Sequence, residues 1–228
     1  PFSLGGKHKA FNDHRDMFPQ AVRAVREVQP ESFIFENVKG LLRKNFSTYF
    51  GYIILQLTYP NVTKNEYESW EDHLSRLEEV QTKGSYQGLK YNVVFRLLNA
   101  ADYGVPQRRE RVFIIGFRND LDIEWSFPKA THSQDALLWE QWGTGKYWNR
   151  LDVPESERPV VNESIKKLSS KLYNKYSLFQ PEERPWVTVR EAISDLPCPK
   201  NTNEFNNHQF KGGAKSYPGH TGSPIDEP

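Results

Sequence analysis

The sequence has almost no cysteine. Cys198 is the only one in 228 residues, which excludes an intrachain disulfide framework and the usual four-ligand cysteine zinc site. A reducing, intracellular setting is therefore expected. The six histidines are scattered without ligand spacing, so no metal is expected either. No run approaches the roughly 18 apolar residues of a membrane span, so a membrane is not among the expected partners.

The net charge of the chain is also close to zero. Lysine plus arginine total 30 and aspartate plus glutamate total 29, which gives a net charge of +1. This balance excludes a uniformly basic, histone-like protein, so any contact with nucleic acid must come from local basic patches. The 37% hydrophobic content excludes a disordered chain. The chain begins at Pro1 without an initiator methionine, and we expect a piece of a longer protein.

Helical spacing of apolar residues appears in five segments. The spacing predicts helices over 18–28, over about 46–57 with Asn45 as N-cap, from Tyr67 to near Gly84, around 165–172 and over 189–196. Three β-rich runs predict strands at 32–35, 91–98 and 112–117. A loop with a turn signal separates the second and third strands, so these two should pair antiparallel.

Charged residues stand at two of the predicted strand ends. Glu36 and Asn37 directly follow the first strand, where open α/β sheets place ligand-binding groups. Arg109 and Arg111 alternate at the start of the third strand and should share one face. Two guanidiniums on a half-buried face are costly unless they meet anions or acceptors. The structural alternatives are a carboxylate that caps the next turn and a solvated basic edge.

Three motifs, taken in sequence order, resemble those of a known enzyme family. They are Pro1-Phe2-Ser3 with the glycine-rich stretch to Arg15, then Phe35-Glu36-Asn37-Val38, then Gln107-Arg108-Arg109-Glu110-Arg111. Together they resemble the end of Pro-Cys-Gln-x-Phe-Ser with its catalytic loop, Glu-Asn-Val, and Gln-x-Arg-x-Arg of the DNA cytosine-5 methyltransferases. The resemblance is dense over about residues 1–118 and thin beyond.

The resemblance implies an α/β fold and two parts. Residues 1–119 would form a portion of a doubly wound, S-adenosylmethionine-dependent methyltransferase-like sheet. Residues 120–228 would form a smaller, irregular and truncated target-recognition region. The implied reaction transfers a methyl group from S-adenosylmethionine to carbon 5 of a cytosine in duplex DNA, after the base has been flipped into a pocket. A bacterial restriction-modification enzyme, located in the cytoplasm at the nucleoid, is the implied setting.

The resemblance also implies residue roles. Glu36 would donate a proton at ring nitrogen 3 and read the exocyclic amine. Arg111 would meet the base carbonyl, and Arg109 the substrate backbone or the active-site loop. Gln107 would orient the loop, and Asn37 would fix the turn after the strand. Contacts to DNA phosphates would come from the first segment, at Ser3, Lys7, Lys9 and Arg15.

Two features of the family have no counterpart in the sequence. The nucleophilic cysteine would precede Pro1, and the Phe-x-Gly-x-Gly cofactor loop would lie further upstream. Cys198 does not replace the nucleophile, because no Gln and no Phe-Ser follow it. We therefore expect this chain to be inactive alone, with the missing parts supplied by a longer chain or a partner subunit. A nucleophile-less DNA-binding subunit, half of a split methyltransferase, and a tRNA cytosine-5 methyltransferase relative remain alternatives.

Overall fold

The computed structural model describes residues 16–196, which fall into two units. Within these limits the first unit comprises 16–100 and 108–129, and the second comprises 101–107 and 130–196. The assignment of catalytic and target-recognition roles to 1–119 and 120–228 stays a prediction. No helix among the described residues is both long and apolar enough to cross a membrane.

The first unit is built on a three-stranded antiparallel sheet. Its strands are β1 (Ser32–Val38), β2 (Tyr91–Asn99) and β3 (Glu110–Arg118), in the order β1-β3-β2. The predicted antiparallel pairing of the second and third strands is confirmed. β1 occupies the other side of β3, also antiparallel. With helices around this sheet, the predicted α/β class is confirmed.

β1 is longer than predicted. The sequence placed Glu36 and Asn37 after the strand, but both lie within it, because the pairing with β3 continues through Val38 opposite Arg111. The burial pattern explains the difference. Phe33 is buried, while Ile34 and Glu36 are exposed, so the apolar run alone marks only the first half of the strand.

Three helices accompany the sheet: α1 (Phe18–Val28), α2 (Ser47–Thr58) and α3 (Trp70–Lys83). Pro19 occupies the first turn of α1, where its missing N–H is not needed. The Ser69 side chain accepts a hydrogen bond from the Asp72 N–H at 3.0 Å and caps α3. Gly84 ends α3 in the left-handed conformation, with φ +64°.

The prediction that Asn45 caps α2 is wrong. Phe46 is the N-cap residue and makes no side-chain capping bond. Residues Lys44–Phe46 form a single 3-10 turn that leads into the helix, and the Ser47 hydroxyl donates to the Lys44 carbonyl at 2.8 Å. Phe46 is buried, so packing of this side chain outweighs the local preference for a polar cap.

The core of the first unit lies between the helices and one face of the sheet. β1, β2 and β3 contribute side chains to this face at every second position, as the pleat requires. The helices contribute the apolar stripes that predicted them. Buried members of this cluster include Val22, Val25, Phe33, Phe50, Ile53, Leu57, Leu77, Tyr91, Val112 and Ile114. Glu36 points to the opposite face, since it alternates with Phe33 and Phe35 along β1.

The second unit is mostly helical. Its helices are α4 (Gln134–Leu138), α5 (Lys146–Arg150), α6 (Glu163–Tyr176) and α7 (Val189–Ala192), and α6 confirms the predicted helix around 165–172. Two short strands, β4 (His132–Ser133) and β5 (Arg184–Pro185), pair in parallel. A small cluster of Tyr147, Trp148 and Val153 is buried in it.

Candidate active site

Glu36 and the two arginines lie on the same face of the sheet in the first unit. Arg111 pairs with Val38 in the β1–β3 register, and Glu36 is two residues from Val38. Side chains two apart on a strand, and side chains directly opposite across an antiparallel pair, share a face. The strand register therefore puts Glu36 and Arg111 next to each other.

Both guanidiniums approach the same carboxylate oxygen. Arg111 Nε lies 3.1 Å from Glu36 Oε1, and Arg109 Nη2 lies 3.6 Å from the same atom. Arg109 stands immediately before β3 and is held by its backbone N–H, which donates to Asn99 Oδ1 at 3.2 Å. Arg111 is also fixed, because its Nη1 donates to the Glu110 carbonyl at 2.8 Å.

The cluster is open to solvent on one side. The Glu36 and Arg109 side chains are 47% and 48% exposed, and Arg111 is 26% exposed. Within residues 16–196 both ion pairs use Oε1, and no hydrogen bond to Oε2 is present. A carboxyl group with one free oxygen, flanked by two guanidiniums, can exchange a proton with a ring nitrogen. The guanidiniums can also donate hydrogen bonds to a carbonyl or a phosphate.

A further ion pair lies at the same ends of β1 and β3 and was not predicted. Lys39 Nζ donates to both carboxylate oxygens of Glu110, at 2.9 and 3.0 Å. It joins the residue after β1 to the first residue of β3. The sequence offered one sign of this pair: Glu110 sits between Arg109 and Arg111, so strand alternation directs its side chain to the other face. That Lys39 is its partner followed only from the strand register.

Asn37 and Gln107 make local contacts. The Val38 N–H donates to Asn37 Oδ1 at 2.8 Å, which ties this side chain to its own backbone. Gln107 belongs to the second unit, where its N–H donates to the Val105 carbonyl at 2.7 Å, and it is exposed. The roles predicted for both residues stay predictions.

The predicted phosphate-binding residues Ser3, Lys7, Lys9 and Arg15 lie outside the described residues, as does Cys198. Among the described residues no three His, Cys, Asp or Glu side chains come together as a metal site. No Phe-x-Gly-x-Gly loop occurs in the sequence, and no described residue is assigned to a cofactor.

A family model agrees with this arrangement of motifs. The model described as C-5 cytosine-specific DNA methylase matches residues 1–61 and 62–218, which is nearly the whole chain. The match includes all three motifs, and so the residues that form the Glu36 cluster.

Curated relatives are bacterial type II methyltransferases. The chain is 33% identical to M.HgiBI of Herpetosiphon aurantiacus over 69% of its own length and 28% of that protein. It is 37% identical to M.HhaI of Haemophilus parahaemolyticus over 60% of its length and 35% of that protein. It is 31% identical to M.AquIA of Picosynechococcus sp. over 86% and 56%. The chain thus spans between about a quarter and about half of the length of the relatives it matches.

Proposed function

The chain belongs to the C-5 cytosine-specific DNA methylase family, and from this premise we propose that it forms the base-holding part of a DNA (cytosine-5) methyltransferase. The complete enzyme means here this chain together with whatever further segments the activity requires. Its substrate is duplex DNA, and its setting is a bacterial restriction-modification system in the cytoplasm, at the nucleoid. The type II methyltransferase names of the relatives support this setting.

The observation that carries the proposal is the convergence of Arg109 and Arg111 on one oxygen of Glu36. A flipped cytosine presents a ring nitrogen, an exocyclic amine and a carbonyl oxygen along one edge. Oxygen acceptors and guanidinium donors are the groups that recognise such an edge. A solvated basic edge would not require a carboxylate between the two arginines.

Glu36 acts on the ring. Carbon 5 of cytosine is a poor nucleophile until a thiolate adds at carbon 6, and negative charge then builds on the ring. A carboxylic acid at nitrogen 3 donates a proton there, and the same group reads the exocyclic amine. The oxygen Oε2 supports this role, because among the described residues it forms no ion pair and is available to a base, while Oε1 contacts the two arginines.

Arg111 donates to the base carbonyl, and Arg109 contacts the substrate backbone or the active-site loop. The difference in exposure supports this division, since Arg111 is the more enclosed of the two. A buried acceptor on the base is satisfied best by a donor that is itself held in place, as Arg111 is by the Glu110 carbonyl.

The remaining roles lie elsewhere in the protein. Ser3, Lys7, Lys9 and Arg15 contact phosphates, which position the duplex without reading its sequence. Residues 120–228 contribute to target recognition. S-adenosylmethionine, when bound, supplies an electrophilic methyl group, and neither its binding loop nor the nucleophilic cysteine is assigned to a residue of this chain.

The decisive experiment measures transfer of a labelled methyl group from S-adenosylmethionine to DNA by the complete enzyme, followed by mapping of the modified cytosines. Methylated carbon 5 in duplex DNA is the expected result. Methylation of tRNA instead would support the RNA-modifying alternative. Sequence-specific DNA binding without any methyl transfer, in the presence of all segments, would support the nucleophile-less subunit.

A further inference from the structure

One face of helix α6 is held firmly against the second unit. Leu172 is buried, and the Ser169 hydroxyl donates to the Trp142 carbonyl at 2.7 Å. The Tyr176 hydroxyl donates to an Asp135 carboxylate oxygen at 2.9 Å. These contacts come from three successive turns, so they fix which side of the helix faces outward.

The outward side carries two exposed lysines, Lys167 and Lys171. Within the described part of the chain neither forms an ion pair, although the pKa of Asp135 is lowered by the hydrogen bond from Lys175 and, to a smaller extent, by the charge of Lys171. The other two lysines of the helix do: Lys166 pairs with Glu163 at 2.7 Å and Lys175 pairs with Asp135. Ser170 and Asn174 lie on the same exposed side.

The charge of this helix stands out from the rest of the chain. α6 holds four lysines and one glutamate in 14 residues, whereas the whole chain has a net charge of only +1. Two unpaired like charges at i and i+4 destabilise a helix. A polyanion bound across the two lysines removes that cost. Helix α6 is therefore one of the local basic patches through which a protein with almost no net charge can contact nucleic acid.

Resting on the function proposed above, we infer that Lys167 and Lys171, on the outer face of α6, bind the phosphate backbone of duplex DNA. The two lysines lie about 6 Å apart along the helix axis, and DNA carries one phosphate per roughly 3.4 Å of each strand. Their flexible side chains can therefore reach two different phosphates. Ser170 and Asn174 add neutral donors of the kind that bind phosphate and sugar.

This contact positions the duplex and does not read bases. Each phosphate neutralised by a lysine releases counterions, and the contribution depends on salt but not on sequence. The test therefore uses the complete enzyme and measures affinity for a cognate and a non-cognate duplex across a series of salt concentrations. The variant Lys167→Gln/Lys171→Gln should lower the slope of log affinity against log salt by about 2 on both duplexes, about one per phosphate.

Two further variants serve as controls. Arg23→Gln/Lys83→Gln also removes two exposed helical cations, but each of these pairs with a glutamate four residues away in its own helix, Arg23 with Glu27 and Lys83 with Glu79, so the slope of this variant should match that of the unmodified protein. Lys167→Arg/Lys171→Arg keeps both charges and should restore the slope. Equal changes in the two glutamine variants would mean that only total charge matters, and would overturn the inference.

The outcomes of this test distinguish the inference about α6 from the proposed function on which it rests. An unchanged slope in Lys167→Gln/Lys171→Gln, with methylation and DNA binding intact, would overturn the inference alone. Failure of the unmodified enzyme to bind any duplex would overturn both. Binding of a transfer RNA that weakens in the glutamine variant, while duplex binding does not, would assign the surface to RNA and so overturn the DNA contact.

Discussion

Arg111 Nε lies 3.1 Å from Glu36 Oε1, although the strand register sets Arg111 opposite Val38 and not opposite Glu36. The contact is diagonal across the β1–β3 pair, and the length of the arginine side chain spans the offset. Glu36 thus meets a cation from the neighbouring strand while its own strand neighbour Phe35 packs into the core.

The first prediction concerns Glu36. Glu36→Gln keeps the shape and one hydrogen-bonding oxygen but removes the ionisable acid. General acid catalysis contributes about 10² to 10⁴-fold, so methyl transfer by the complete enzyme should fall within that range while affinity for duplex DNA changes little. Glu27→Gln, at an exposed carboxylate of α1, serves as the matched control. Near-normal turnover in Glu36→Gln would show that Glu36 is only a structural ion-pair partner.

The second prediction separates the base pocket from phosphate contacts. Arg111→Ala removes a charged donor from a buried acceptor, which costs about 1–3 kcal/mol or more, and the loss should appear in turnover or in trapping of a flipped base. The salt slope of DNA binding should stay the same. Lys9→Ala or Arg15→Ala should do the reverse, lowering the slope by about one per contact. A flattened slope with intact turnover in Arg111→Ala would make Arg111 a backbone clamp.

The third prediction concerns a buried histidine in the first unit. His73 is 1% exposed, its Nε2 lies 2.8 Å from the Val62 carbonyl, and its Nδ1 lies 2.9 Å from the Tyr52 hydroxyl. Nε2 must donate to the carbonyl, and in the neutral ring Nδ1 then accepts from the tyrosine hydroxyl. Burial lowers the pKa of His73 below 6.5, because the charged ring is poorly solvated there.

The sign of the pH effect follows from that lowered pKa. Below pH 6.5 the unfolded chain binds a proton at His73 that the folded chain does not, so the free energy of unfolding should decrease as pH falls from about 7.5 toward 5. Urea unfolding at several pH values measures this slope. His73→Gln should be less stable at pH 7.5 but should show a smaller decrease on acidification. An identical slope in both proteins would contradict the assignment.

The fourth prediction compares two glycines. A Cβ added to Gly116, in the central strand β3, would lie 2.2 Å from Phe33 Cζ, and the Phe33 ring is confined between Phe35 and Tyr91. Gly116→Ala should cost about 1–3 kcal/mol of unfolding free energy through overpacking. Gly51 in α2 has nothing within 4 Å of an added Cβ, so Gly51→Ala should stabilise by roughly 0.5–1 kcal/mol. Chemical unfolding of both variants decides the comparison.

Local patterns in the sequence determined most elements of this protein and indicated its candidate site residues. Apolar spacing located α1, α3 and α6, and β-rich runs located all three strands of the main sheet, because these patterns report the period of one element. Alternation alone put Arg109 and Arg111 on one face. The motifs around Glu36 and Arg109–Arg111 indicated the family, which the match over nearly the whole chain then supported.

The tertiary structure decided what depends on residues far apart in sequence. The placement of β1 beside β3 brought Glu36 to the arginines. Residues that meet across this pair are far apart in sequence, as Lys39 and Glu110 are, with a separation of 71. No local pattern specifies strand order or register. Packing also made Phe46, and not Asn45, the helix cap, and it determined which side of α6 faces outward, where Lys167 and Lys171 form no ion pair with another residue of 16–196. The physical reason is that periodicity is a property of the backbone of one element, whereas register and orientation come from burying apolar surface between elements.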